Sequence, residues 1–163
     1  MQLRMAQEAD AATLAAFAQR VFAETFDFVG YSAADLQAYF DSLLSAAYFR
    51  KAAEAGGLWL AEEGGVIAGY AQARPLSLPV EAEGDNIELT RLYIDAPWQG
   101  KGVADALMDK ALEPYAGHAV WLTVYSENPR GIRFYEKRGF EKVGDYTYYV
   151  GNHADAEYIM RRK

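Results

Sequence analysis

Residues 92–104, Leu-Tyr-Ile-Asp-Ala-Pro-Trp-Gln-Gly-Lys-Gly-Val-Ala, join a β-branched and aromatic run to a turn with two glycines and then to an amphipathic stretch ending near Glu113. This reads as strand, turn and helix. Gly100 and Gly102 free the backbone where the helix begins, and the first N–H groups of a helix have no intrahelical acceptor, so they face outward toward an anion. The chemistry indicated is a grip on the pyrophosphate of a coenzyme. Two better-known phosphate turns fit poorly. A nucleoside triphosphate loop needs Ser or Thr after its lysine, and Lys101 is followed by Gly102. A dinucleotide fingerprint counted from Gly100 reaches Asp105 where Gly or Ala should allow close packing, and it would follow the first strand rather than arise mid-chain.

The turn does satisfy Gln/Arg-x-x-Gly-x-Gly/Ala, as Gln99, Gly102 and Ala104, directly after Leu-Tyr-Ile. A second block follows the apolar run Trp121-Leu122-Thr123-Val124-Tyr125. Residues 126–140, Ser-Glu-Asn-Pro-Arg-Gly-Ile-Arg-Phe-Tyr-Glu-Lys-Arg-Gly-Phe, have the form Asn-x-x-(small)-x-x-Phe-Tyr-x-x-x-Gly-Phe. The first block alone also describes a glycine turn that caps a helix. The two together, in this order from Glu88 to Phe140, resemble the GNAT superfamily of acyl-CoA-dependent N-acetyltransferases.

The resemblance implies acetyl-CoA as cosubstrate, no metal, and direct attack by a primary amine within a ternary complex. It places N–H groups of Gln99, Gly100, Lys101, Gly102, Val103 and Ala104 on the pyrophosphate, with Lys101 adding charge. Loss of Lys101 is expected to weaken binding only modestly, because the main-chain donors remain. It also lays the pantetheine arm along Leu92, Tyr93 and Ile94, where a gap opens between the fourth and fifth strands, with the oxyanion donor a main-chain N–H of that segment. Asn128 would hold the pantetheine amides and Tyr135 would sit beside the sulfur.

An alkylamine of pKa near 10.4 is protonated at neutral pH, so exposing its lone pair costs roughly 4 to 5 kcal/mol and something must take the proton. Glu88 is the candidate. Strict alternation along residues 86–94 puts it on the face of Thr90, Leu92 and Ile94, an expensive place for a carboxylate unless function needs it. In the resembling family an acid at this offset serves as general base in several members, often through water. A glutamate at the start of a strand, facing solvent or paired with Arg91 or Arg74, is the other reading. The departing thiolate needs a proton in turn, and Tyr135, with an ordinary phenol pKa near 10, is the candidate donor. Asn128 and Tyr135 lie two helical turns apart and share one side of a helix. Asn128 equally suits an N-cap before Pro129, and Tyr135 a packed core aromatic.

For the acceptor, the resemblance points to the first two helices and their loop. That makes Phe22, Glu24, Phe26, Asp27, Phe28 and Tyr31 candidates, since aromatic walls with a few carboxylates suit an alkylammonium chain. The same aromatics also serve as core. The Leu-Thr-Arg-Leu-Tyr-Ile strand, the Glu-Asn-Pro-Arg block and the ending from Tyr149-Val-Gly-Asn to Tyr158-Ile-Met-Arg are similar to polyamine-acetylating members. A small cationic amine is therefore one expected acceptor. A protein N-terminus or lysine, as in a basic peptide, is another. A non-catalytic acyl-CoA sensor would need neither Glu88 nor Tyr135.

The elements that must position these residues follow from the apolar pattern. A first strand over 2–6 leads to a helix capped by Asp10, with Leu14, Phe17, Ala18, Val21 and Phe22 at helical spacing, and a second helix spans 32–48. A hairpin over 58–62 and 66–73, a loop to Gly84, and a strand from Asp85 or Asn86 come next. Helices over 101–113 and 129–138 flank a strand over 121–125, Pro129 suiting a first helical position and Gly139 a C-cap. Strands over 142–150 and 156–162 close the chain. This order predicts one domain over 1–163 of α/β (α+β) class, a mixed, mostly antiparallel sheet of six to seven strands flanked by helices, which the resemblance also implies.

A hydrophobic fraction of 52% supplies ample core, and a net charge of −7 argues against duplex nucleic acid while suiting either a cationic acceptor or simple solubility. With no cysteine there is no disulfide, thiolate metal site or cysteine acyl-enzyme, and His118 and His153 stand apart from any metal-ligand spacing. No apolar run approaches the ~18 residues of a membrane span, so a cytoplasmic protein without membrane partners is expected. Tyrosines 146–149 would serve either a homodimer contact or burial within one chain.

Overall fold

The computed structural model describes residues 1–163. Strand β1 (Gln2–Met5) leads through a short 3-10 turn into helix α1 (Ala11–Thr25), whose Leu14, Phe17, Ala18, Val21 and Phe22 are buried on one face, as their helical spacing requires. Asp10 does not cap this helix. Arg4 and the Gln7 N–H occupy its carboxylate, with two Arg4 contacts at 2.8 Å, so its oxygens have no freedom to turn toward the helix N–H groups.

The single helix expected over 32–48 is two. Helix α2 (Ala33–Leu43) is capped by Ser32, whose Oγ accepts the Asp35 N–H at 3.0 Å, and helix α3 (Ala46–Ala55) is capped by Ser45, which accepts the Tyr48 N–H at 3.0 Å. Leu44 leaves the helical region at φ −130°, and the serine after it starts the next helix.

Strands β2 (Leu58–Glu63), β3 (Val66–Arg74) and β4 (Asn86–Ile94) continue the sheet, followed by helix α4 (Val103–Leu112), strand β5 (Ala119–Tyr125), helix α5 (Pro129–Glu136) and the strands β6 (Glu141–Val150) and β7 (His153–Arg162). The sheet has seven strands in the order β1-β2-β3-β4-β5-β7-β6. Every neighbouring pair is antiparallel except β4 and β5. The last hairpin begins earlier than expected, at His153, because Gly151 at φ +60° and Asn152 turn the chain within two residues. A Cβ on Gly151 would lie 2.5 Å from the Asp35 backbone, and the Asn152 N–H donates to the Asp35 carboxylate at 2.9 Å, so this turn also anchors α2.

The core has two parts, one on each face of the sheet. Phe17, Phe22, Tyr39, Phe49, Leu60 and Tyr70 fill the side under α1 to α3, while Leu89, Leu107, Met108, Leu122, Phe140 and Met160 fill the side under α4 and α5. Both faces of β3 are therefore apolar, which explains its continuous run of buried residues.

Candidate active site

Strands β4 and β5 are parallel but meet at only three pairs, Asn86 with Ala119, Ile87 with Val120 and Glu88 with Trp121. Beyond Glu88 they diverge. β5 remains paired with β7 along its whole length, so the open edge is that of β4 from Leu89 onward, where every second N–H and C=O points into the gap. The Trp121 indole N–H donates to the Asn86 side chain at 2.8 Å and fastens the closed end. A cavity of about 900 Å³ occupies the gap and runs from the start of α4 to the aromatic face of α1 and α2.

A β-bulge changes which way β4 presents its side chains. Gln72 pairs with Arg91 but Ala73 pairs with Leu89, so Thr90 is the extra residue. The phase therefore switches there, and Glu88 shares its face with Arg91 and Tyr93, opposite to Leu92 and Ile94. This corrects the strict alternation read from the sequence. It also moves the carboxylate from the α4 side to the α1 and α2 side. Glu88 is only 8% exposed, and its Oε1 accepts both the N–H and the hydroxyl of Ser77 at 3.0 Å each. Ser77, rather than Arg91 or Arg74, is what holds it. Arg91 is itself engaged elsewhere, donating to the Leu43 carbonyl at 3.1 Å and the Tyr39 hydroxyl at 3.3 Å over the ring of Tyr48.

At the other end of the gap, Gly100 and Gly102 adopt φ of +75° and +81°. An added Cβ would meet nothing at either position, so glycine is needed for its backbone conformation, not for space. Gly102 is the N-cap of α4, and its C=O accepts the Ala106 N–H at 3.1 Å, leaving the N–H groups of Val103, Ala104 and Asp105 open as at any helix start. The Gln99 N–H is not available, because it donates to the Ala96 carbonyl at 3.2 Å. The Gln99 side chain bonds the Ile94 carbonyl at 3.1 Å and receives Arg130 from α5 at 2.7 Å. Gln99 thus braces the turn. Lys101 lies outside the cavity, with its ammonium 5.4 Å from the centre of the Trp98 ring.

On α5, Asn128 is the N-cap, its Oδ1 accepting the Gly131 N–H at 3.1 Å while Pro129 takes the first helical position. A Cβ on Gly131 would lie 2.6 Å from the Asn128 amide nitrogen, so a larger residue there would displace the capping side chain. Asn128 and Tyr135 both line the cavity, so the cap and the cavity wall are one residue doing both. The Tyr135 ring packs edge-on against Phe134 and Phe140, and burial pushes its phenol up to about 12, a rise that the nearby Arg138 only partly offsets.

Among the acceptor candidates, Phe22, Glu24, Phe26 and Tyr31 line the cavity, whereas Asp27 and Phe28 do not. Phe28 is 62% exposed and leans on Tyr125 from outside. Phe22 is also core, packed against Phe26 and Tyr39 at 4.8 Å each. Two carboxylates unread in the sequence complete this wall, Asp155 and Glu157 of β7. Asp155 is buried against the Tyr31 hydroxyl and His153 Nδ1, the latter at 2.8 Å. Glu157 stands opposite Tyr125 across β5 and opposite Tyr146 across β6. Their signal in the sequence is the i, i+2 spacing that puts both acids on one face of a strand.

An acyl-coenzyme fits what the cavity leaves unsatisfied. The free β4 edge matches an extended amide-bearing arm, the open N–H groups of α4 match a pyrophosphate, and the Thr90 hydroxyl at the bulge is buried without a partner. Nothing in the chain gathers metal ligands.

A sequence profile described as the acetyltransferase (GNAT) family matches residues 18–140. An uncharacterised N-acetyltransferase of Mycobacterium tuberculosis is 36% identical over 106 residues, 63% of this chain and 64% of that protein. The N-alpha-acetyltransferase RimI of the same organism is 33% identical over 103 residues, 63% of each. The chain thus spans slightly less than two thirds of the length of these relatives. Among solved structures, the PaiA N-acetyltransferase of Thermoplasma acidophilum in complex with coenzyme A superposes with a TM-score of 0.78 at 18% identity, covering 99% of this chain and 98% of that one, which is a likeness of fold.

Proposed function

The chain belongs to the acetyltransferase (GNAT) family, and from that premise we propose that it moves an acetyl group from acetyl-CoA to a primary amine by direct attack in a ternary complex. The observation that carries this reading is the single cavity that joins a free strand edge, an open helix start, Glu88 and Tyr135. When bound, acetyl-CoA supplies the activated acyl group. The chain's own part is to position and to manage protons. The Leu92–Ile94 edge would align the pantetheine arm, and a main-chain N–H there would donate to the carbonyl oxygen as it gains charge. N–H groups of Gly100, Gly102, Val103 and Ala104 would hold the pyrophosphate. Asn128 would bond the amides of the arm from the start of α5.

Glu88, held by Ser77 on the amine side of the sheet, accepts a proton from the nitrogen as the C–N bond forms. Tyr135 stands by the sulfur. With its phenol near 12, Tyr135 is a weaker acid than an ordinary thiol at about 8.5, so it stabilises the departing thiolate mainly by donating a hydrogen bond.

The acceptor proposed is a small cationic amine such as a polyamine. Tyrosines 31, 39, 48 and 125 together with Glu24, Asp155 and Glu157 line the amine side, a wall that suits an alkylammonium chain. A peptide N-terminus is the second reading, favoured by the similarity to RimI. Thiol release from acetyl-CoA, measured with spermidine and with an alanine-initiated peptide, tests both. Faster turnover of spermidine supports the first, faster turnover of the peptide the second, and no thiol release with any amine refutes the proposal.

A further inference from the structure

An alkylammonium has two protons to lose before it becomes an amide, one before its lone pair can attack and one after the C–N bond has formed. In the reaction proposed above Glu88 takes the second, as the C–N bond forms, and not the first, for which the sequence alone made it the candidate. We propose that Glu157 is the proton acceptor for the first, receiving N–H⁺ from the incoming ammonium at the amine side of the cavity. This rests on the acetyl-transfer reading above.

Glu157 lies in the wall of the cavity, on the face of β7 shared with Asp155, and none of the ion pairs of the protein involves it. The groups facing it are all neutral or acidic. From β5 these are the Thr123 hydroxyl and Tyr125, from β6 Tyr146 and Tyr148, from the loop after α1 Tyr31, and from its own strand Asp155. Asp155 is already committed to Tyr31 and His153, which leaves Glu157 as the uncommitted base of the pair. Burial and the charge of Asp155 raise its carboxyl to about 7, against a downward pull from Thr123, while the other shifted carboxyls, Asp10, Asp35, Asp95 and Asp105, are lowered. A carboxylate near 7 is poised to take a proton at neutral pH and return it to solvent.

The protons balance as follows. R–NH₃⁺ gives one proton to the Glu157 carboxylate, and the freed lone pair forms the C–N bond while the thioester π electrons move to oxygen. Glu88 takes the second proton from nitrogen. The oxyanion pair then re-forms the C=O bond as the C–S bond breaks and its electrons leave on sulfur; the thiolate takes one of the two protons and the other is released to solvent.

The test is a pH–rate profile of kcat/KM for the wild type, Glu157→Gln and Glu157→Asp with two amines, strongly basic 1,3-diaminopropane and weakly basic hydrazine, which has a large neutral fraction near pH 8 where diaminopropane is mostly protonated. The wild type should rise with pH through about 7 with diaminopropane. Glu157→Gln should lose about 100-fold with diaminopropane and less than about 5-fold with hydrazine. Glu157→Asp, which keeps the acid, should recover part of the loss, and CoA affinity by calorimetry should stay unchanged in all three. Equal losses with both amines, no loss with either, or a wild type that accepts hydrazine but not diaminopropane would overturn the role of Glu157 alone. A wild type that acetylates neither overturns the acetyl-transfer reading and this one with it.

Discussion

Replacing Tyr135 with Phe removes one oxygen and keeps the ring contacts with Phe134 and Phe140, so the variant isolates the hydroxyl. With the phenol near 12 and an ordinary thiol near 8.5, full proton transfer to the thiolate is uphill by about 3.5 units, or roughly 5 kcal/mol. The hydroxyl then acts as a donor to an anion, and such a bond is worth about 1.5 to 3 kcal/mol. Converted at 1.36 kcal/mol per decade, this gives a fall in kcat of about 10- to 150-fold. The assay is thiol release at saturating acetyl-CoA, with CoA affinity measured separately and expected to change little. The pH profile adds a second reading. A phenol raised by burial stays protonated across the neutral and mildly alkaline range, so the wild type should show no tyrosine-dependent decline below about pH 10. Turnover within a factor of two of wild type would remove Tyr135 from the site. A decline near pH 8 or 9 that vanishes in Tyr135→Phe would show that the cavity lowers this phenol, contrary to the burial argument.

Gly102→Ala forces an alanine to φ +81° at the N-cap of α4, a strain of about 1 to 2 kcal/mol. Urea denaturation should show that loss of stability, while CoA affinity by calorimetry should change little, because the strain is borne equally by the free and the bound folded states. Ser77→Ala removes one of two donors to Glu88 and leaves the main-chain N–H, so kcat should fall several-fold, about 3 to 10, without loss of CoA affinity. The carboxyls of Asp10, Asp95 and Asp105 are lowered by hydrogen bonds from Arg4, Arg20 and Arg138, below the ordinary 3.8. Depressed folded-state values mean that their stabilisation is present above about pH 4 and lost as pH falls through the folded values. The urea midpoint should rise as pH falls from 7 toward 5, where the raised Glu157 carboxyl takes up its proton in the folded state, and drop below about 4, and Arg4→Met should flatten part of that drop.

Strand positions were legible because apolar alternation and runs of buried residues mark them, and the turn at 99–104 was legible because two glycines precede an amphipathic helix. The break between α2 and α3 was hidden because Leu43, Leu44 and Tyr48 continue the apolar spacing across it, and only Ser45, a good N-cap, betrays it. The bulge at Thr90 leaves no mark in composition. It inverts the face of Glu88, which an ideal period of two cannot anticipate. Gln99 and Lys101 both stand in the turn as candidate phosphate contacts, yet one is spent bracing the turn and the other rests on Trp98. Which donors of a loop remain open depends on bonds that sequence spacing does not encode. Glu157 went unread because it lies far along the chain from the glycine turn and reaches the cavity only through the order of β5, β7 and β6.

The short seam between β4 and β5 divides the sheet into two leaves, four strands on one side and three on the other, bound along a spine of three residue pairs and one tryptophan bond. Side-chain bonds from Tyr39 to Tyr148 and from the Asn152 N–H to Asp35 brace the leaves at a set distance. Because neighbouring strands sit about 4.8 Å apart, a single extended chain lying between the leaves bridges them at about twice that spacing, while anything thicker must pry the spine open. The width of the gap therefore suits slender, extended guests before any side chain is consulted.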